Sequence, residues 1–291
     1  MSLPIRRTSA LAILAALAMG GCGDGDSGPG EGSLTLAVVD APVDGATAVV
    51  VEFTGVELKP ASGPAFSIDF MTPMEIDLIG TQGGNAAMLL DNEIVPAGPY
   101  NWIRLKVNAN LGVMDSYIEF PGEQFPLYIP SGAETGLKLV RGFTMPQGGA
   151  ADFTIDFDLR KSVVFPPGLG GSYILRPALR LVDNAQVGTL AGTVFPELFT
   201  AGCTAGIYLY EGADVEPVDI DGTGIEPLVS VTVDMDGQYH VAFLTAGEYT
   251  VAFTCDAGQD DPETADVLSF GPVVNATVTA GETTEVNFDG S

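Results

Sequence analysis

Histidine, tryptophan and cysteine are nearly missing: the 291 residues hold one His, one Trp and three Cys. With His240 alone, no multi-histidine zinc centre is expected. A Ser–His–Asp triad would have to be built on a residue that sits in the strand pattern Gln238-Tyr239-His240. No CxxC spacing points to a zinc or redox site. Positive charge is scarce as well, with 11 Lys and Arg against 38 Asp and Glu, a formal net charge of −27 and a pI near 4.1. Such a field repels phosphate backbones and anionic lipid headgroups, which excludes nucleic-acid binding as a role. From Val187 onward there is no Lys or Arg at all, while 18 acidic residues lie there. No hydrophobic run reaches the ~20 residues that a membrane-spanning helix needs. The 37 Gly and 20 Pro argue against long helices.

What is present begins with an address. Arg6 and Arg7 precede the apolar run Leu11 to Met19, and small residues follow, the pattern of a secretory signal peptide. The flanks of the Arg pair do not fit twin-arginine export, so the general secretory route is the expectation. Met19-Gly20-Gly21-Cys22 resembles a bacterial lipobox, in which Cys22 would be lipidated and become the first mature residue. The alternative is an ordinary signal peptide with an incidental Cys. Residues 1–21 are thus read as a lipoprotein signal peptide. Residues 22–32, rich in Gly, Asp and Ser with nothing apolar to bury, are read as a disordered tether. Gly23 lacks the Asp that retains some lipoproteins at the inner membrane, which favours the outer membrane.

Beyond the tether, period-two alternation dominates. Trp102 to Val107 alternates apolar with basic residues and Phe153 to Arg160 alternates apolar with polar ones, as half-buried strands do. Leu34 to Val39, Ala48 to Phe53, Met74 to Ile79, Ser116 to Phe120 and Phe125 to Ile129 are further strand candidates. One helical turn is expected around Asn85 to Asp91. The second half offers seven short strands: Leu190 to Phe195, Gly206 to Tyr210, Leu228 to Val233, Tyr239 to Leu244, Tyr249 to Cys255, Val273 to Val278 and Thr284 to Phe288. That density is a sandwich expectation. The contrast in charge and a boundary near Asn184 to Val187 divide the chain into residues 33–185 and 187–291. The two parts share a small echo, Val95-Pro96-Ala97-Gly98-Pro99-Tyr100 and Leu244-Thr245-Ala246-Gly247-Glu248-Tyr249.

Two resemblances follow from separated segments. Leu36 to Asp44, Val56-Glu57-Leu58, Ile103-Arg104-Leu105, Pro130-Ser131-Gly132 with Gly136 to Leu139, Asp156 to Ser162 and Leu175-Arg176-Pro177 resemble the bacterial lipoprotein domain-of-unknown-function 4382 family. That resemblance implies location and architecture, not activity. Asp234 to Tyr239, Leu244 to Val251 and Val278 to Thr284 resemble transthyretin-like, carboxypeptidase-regulatory-like domains of the carbohydrate-binding-like fold. These motifs are turns and corners, so they imply fold rather than ligand. In the resembled fold the strands Gly206 to Tyr210 and Tyr249 to Thr254 pair antiparallel. Cys203 and Cys255 would then meet at one sheet end as a disulfide, as expected in an oxidising compartment.

Few residues suggest chemistry. Asp219-x-Asp221-Gly222 and Asp234-x-Asp236-Gly237 look like calcium loops, making Asp219, Asp221, Asp234 and Asp236 candidate ligands. Both lack the Glu that an EF-hand places six residues beyond its Gly, and tight Asp-Gly turns are the plainer account. Tyr100, Trp102 and Tyr128 are candidate stacking residues for a sugar. Asp156, Asp158 and Arg160, like Arg104 and Lys106, read as members of cross-strand ion pairs. The expectation is an all-β protein of two β-sandwich domains behind a signal peptide and tether, held to the membrane by a lipid anchor. Its expected role is a non-enzymatic envelope binding module for a glycan or an envelope protein, without cofactor unless calcium. A surface stalk or a calcium-stabilised adhesion module is the alternative.

Overall fold

The computed structural model describes residues 30–41, 46–81, 84–130, 136–166, 168–176, 179–262 and 264–290. Cys22, the signal peptide and most of the tether lie outside these residues, as do residues 42–44, 131–132 and 177 of the family segments. Among the described residues no helix is long and apolar enough to cross a membrane.

Thirteen strands come first: β1 (Glu31–Ala41), β2 (Ala48–Pro60), β3 (Phe66–Asp77), β4 (Ala87–Pro96), β5 (Gly98–Asn108), β6 (Tyr117–Phe120), β7 (Glu123–Tyr128), β8 (Leu137–Leu139), β9 (Phe143–Met145), β10 (Ala150–Asp158), β11 (Val163–Val164), β12 (Tyr173–Leu175) and β13 (Leu179–Asp183). They form a four-stranded sheet, β13-β10-β1-β4, and a nine-stranded sheet built on β11-β12-β7-β6-β2-β5-β8 with β3 and β9 at its side. Alternation does the sorting: Leu34, Leu36 and Val38 of β1, Ile103, Leu105 and Val107 of β5, and Phe153, Ile155 and Phe157 of β10 all enter one core between the sheets. Phe53 and Phe157 meet there edge to face at 6.3 Å, a contact that adds about 0.5–1.5 kcal/mol to their burial.

Seven strands follow a 3-10 turn at Asn184–Gln186: β14 (Val187–Thr193), β15 (Gly206–Glu211), β16 (Val229–Thr232), β17 (Gln238–Thr245), β18 (Gly247–Thr254), β19 (Phe270–Val278) and β20 (Thr283–Glu285). They make a three-stranded sheet, β17-β14-β20, facing a four-stranded one, β16-β15-β18-β19. Leu190, Ile207, Leu209, Val251, Phe253 and Phe288 fill a second, separate core. Strands β15 and β18 do pair antiparallel, Gly206 opposite Thr254, and Cys203 is bonded to Cys255 just beyond that end.

Two expectations fail locally. Asn85 to Asp91 forms no helical turn; Ala87 onward is strand β4, because Leu89 and Leu90 are buried and the backbone pairs with β1. Tertiary pairing overrides local helix preference here. Among the described residues the one α-helical turn, α1, is Leu159–Ser162. The tether is also shorter than its composition suggests, since Glu31 and Gly32 already pair with Pro96 and Val95. Gly32 is suited to that place because a Cβ there would lie 2.5 Å from the carbonyl oxygen of Pro146.

The two sheet pairs touch. On the four-stranded sheet, Ala37, Val39, Thr154 and Val182 point away from the first core yet are buried. Strands β16 and β17 lie against this outer face, in contact with β1 and β13.

Candidate functional site

Where the two sheet pairs meet they leave a cleft of about 760 Å³. That volume lies within the ~300–1,000 Å³ of small-molecule sites, which favour such junctions. Val39, Asp40, Thr81, Gly84 and Asp156 line it from the first side. Strands β14, β16, β17 and β20 line it from the second, with Thr193, Thr232, Gln238, His240, Phe243, Thr283 and Glu285 among them.

The local backbone explains how this wall is shaped. Between Gly188 and Leu190 of β14, strand β17 carries an extra residue, so Ala242 and Phe243 form a bulge. Phe243 adopts φ +56°, a left-handed conformation that a side chain such as Phe rarely takes and that costs of order 1 kcal/mol or more. Bulges re-aim side chains beside functional sites, and both residues of this one line the cleft.

Its polar groups are of two kinds. The hydroxyls of Thr193, Thr232 and Thr283, the Gln238 amide and the His240 imidazole make no hydrogen bond within the described residues. The carboxylates are held. Asp156 lies opposite Arg180 in the β10–β13 ladder and accepts from it at 2.6 and 3.2 Å. Burial pushes the Asp156 carboxyl up from its ordinary range, against the pull of that guanidinium. Asp40, only 8 % exposed, accepts the Leu159 N–H at 3.3 Å. Asp234 accepts from the N–H groups of Asp236 and Gln238. Glu285 accepts from Asn287.

The stacking residues expected from sequence do not come together. Tyr100 and Trp102 sit two apart and should share a face, but a one-residue register shift between Lys59 and Pro60 separates their places in the β2–β5 ladder. A bulge of this kind flips the alternation. Tyr100 is buried against Phe143, 4.8 Å away. Trp102 stands half-buried outside, with the Arg104 guanidinium and the Lys138 ammonium 4.8 and 4.6 Å from its ring centre. Tyr128 lies on β7, three strand spacings or about 14 Å from β5. The outer faces of β2, β3 and β5 carry cross-strand ion pairs instead, Arg104 with Glu57 and Lys106 with Asp69.

The two Asp-Gly loops part company. Asp234 to Gly237 is a tight turn: Gly237 takes φ +78° and donates its N–H to the Asp234 carbonyl. Asp221, Asp234 and Asp236 are exposed and do not gather. Asp219 is buried, and its carboxylate lies within 4.8 Å of those of Asp260 and Asp266. Asp260 and Asp266 stand more than forty residues away and carry no local motif that marks them as partners of Asp219. These carboxylates serve as loop clamps, taking the Tyr208 hydroxyl and the Ile220 N–H on Asp260, and the Asp266 N–H on Asp219.

Comparison with known proteins adds the following. Residues 31–177 match the family described as "Domain of unknown function (DUF4382)". No curated protein matches the chain. Among solved structures there is likeness to a Pseudomonas aeruginosa protein with a provisional carbohydrate-binding description, at 13% identity over 37% of this chain and 90% of that one, TM-score 0.24. The minor pilin GBS52 of Streptococcus agalactiae is 12% identical over 88% and 94%, TM-score 0.22. The shaft pilin SpaA of Lactobacillus rhamnosus GG is 10% identical over 89% and 97%, TM-score 0.23. At scores this low none of these likenesses bears on what the chain binds.

Proposed function

The chain belongs to the DUF4382 family, whose description assigns no chemistry, and from its own geometry we propose a non-enzymatic, lipid-anchored binding module of the bacterial cell envelope. The observation that carries this reading is the cleft between the sheet pairs, lined by three threonine hydroxyls, Gln238 and His240 whose side chains make no hydrogen bond among the described residues. Groups of that kind suit a hydroxyl-rich ligand such as a carbohydrate. Binding is favoured over catalysis because, among the described residues, no base is hydrogen-bonded to the cleft's threonine hydroxyls and no carboxylate orients its imidazole. The second sheet pair is read as a transthyretin-like domain, a reading supported by its seven strands. Lipidation at Cys22, and with it outer-membrane attachment, rests on the lipobox.

The test is thermal unfolding of the full chain in mild detergent against a glycan panel, beside an Ala242→Trp variant that fills the cleft. A ligand at 100 times its Kd stabilises by about 2.7 kcal/mol, and the variant should lose that shift while keeping its fold. No shift with any glycan would leave the stalk role in front. For the anchor, Cys22→Ser should move the protein from the detergent-rich to the aqueous phase.

A further inference from the structure

We propose that Phe243 is an aromatic platform over which an oligosaccharide passes from the cleft into a second pocket, a reading that rests on the cleft being the binding site. That pocket, of about 410 Å³, is lined by Thr189, Gly281 and Glu282 among others. It shares Gly84, His240, Ala242, Phe243 and Thr283 with the cleft, so the two join over the bulge of β17. Phe243 is half-buried, yet it belongs to none of the hydrophobic clusters that stabilise the two sheet pairs. Its side chain meets no other aromatic ring. The backbone beneath it is costly as well. Among the described residues, the non-glycine positions with positive φ are Asn92, Asp214, Asp221 and Phe243. Asn and Asp tolerate the left-handed region because their short polar side chains bond locally, which a Phe does not do.

Strain without core packing does not stabilise the fold, and an outlier of this kind in a cleft wall points to a ligand. A pyranose carries C–H groups on its faces and hydroxyls around its rim. Laying one face on the Phe243 ring removes apolar surface of both from water. The rim hydroxyls are then left for the polar side chains of the walls, Thr193, Thr232 and Gln238 in the cleft and Thr189 in the second pocket. Because Phe243 lines both cavities, one sugar covers its ring while the neighbouring units extend to either side. The fit is to a chain of sugars and not to a single one.

Calorimetry on the full chain tests this with glucose, galactose, mannose and N-acetylglucosamine, each as the single sugar and as its hexamer. At least one hexamer should bind about tenfold or more tightly than its monomer. Phe243→Asn should lose about tenfold of that affinity, as removing a half-buried aromatic face predicts, while Phe243→Tyr keeps the ring and the affinity. Because Asn accepts positive φ, the melting temperature of Phe243→Asn should not fall. A ring that served packing would show the opposite pair of results, a melt several degrees lower with affinity unchanged. A hexamer bound equally by the parent chain and Phe243→Asn overturns the platform while the cleft remains a sugar site. A monomer that binds as tightly as its hexamer overturns the extended ligand. A hexamer whose affinity survives Ala242→Trp is bound elsewhere, and both readings fall. If no hexamer binds the platform fails, and if the wider glycan panel also gives no shift, the cleft reading fails with it.

Discussion

At the scale of single residues, the echo between the two halves is a shared hydrogen bond. Tyr100 donates its hydroxyl to the Pro96 carbonyl at 2.7 Å, and Tyr249 donates to the Thr245 carbonyl at 2.7 Å. Each therefore reaches four residues back across an Ala-Gly turn, as a tyrosine corner does. Both rings are buried, so removing the hydroxyl leaves the acceptor short of a donor and keeps the packing. Tyr100→Phe and Tyr249→Phe should each cost about 1 kcal/mol in denaturant melts. An unchanged midpoint in both would make the corner a coincidence of turn geometry. Tyrosines also set the alkaline limit. Burial raises the phenol pKa of Tyr210 and Tyr239 far above the ordinary value near 10, because phenolate is poorly solvated inside. The unfolded chain then sheds these protons first. Their contribution to stability is full below about pH 10 and declines as pH rises beyond it. Unfolding midpoints should thus be flat from about pH 8 to 10 and drop above.

Secondary-structure elements were largely legible, and the disulfide shows why. Strand identity in Gly206 to Tyr210 and Tyr249 to Thr254 comes from short runs of β-branched and aromatic residues between turn residues, buried on both faces rather than alternating. The antiparallel pairing that the resembled fold implies is present, and it brings Cys203 and Cys255 together at one sheet end. The bond closes a separation of 52 residues, and in the chain-entropy model such a loop contributes about 4 kcal/mol by constraining the unfolded state. Reduction, or the Cys203→Ser/Cys255→Ser pair, should lower unfolding free energy by about that amount without changing the sheets seen by circular dichroism. What could not be read were the places where one residue slips. The bulge before Trp102 turned a presumed platform into a core Tyr100 and an outer Trp102. The Ala242–Phe243 bulge shaped a wall of the cleft from a segment that reads as plain strand. Period-two patterns carry no mark of an extra residue, since both neighbours of a bulge keep their types. The gathering of Asp219 with Asp260 and Asp266 was hidden for a different reason, being set by where two distant loops cross.

On the scale of the whole molecule, the cleft was invisible to sequence because it belongs to neither sheet pair alone, whereas the charge that fills its surroundings could be counted directly. The ion pairs Arg104–Glu57, Lys106–Asp69 and Arg180–Asp156 all lie in the first sheet pair. The second has 18 acidic residues and no Lys or Arg with which to form such a pair internally. Its carboxylates repel one another over distances that salt controls, the Debye length falling from about 30 Å at 0.01 M to about 3 Å at 1 M. Screening should help the second pair more than it weakens the surface ion pairs of the first, which contribute at most about 1 kcal/mol each. The melting temperature should therefore rise by several degrees between about 0.01 and 1 M sodium chloride, with the rise concentrated in probes of the second sheet pair such as the Tyr249 environment. A flat or falling curve would mean that this charge is neutralised by something other than screening. Repeating the scan at fixed ionic strength with calcium against a chelator then identifies the agent. A chelator-sensitive melt would turn buried Asp219 and Asp260 with half-buried Asp266 from a loop clamp into a cation site, whereas a chelator-indifferent one leaves these carboxylates as loop clamps alone.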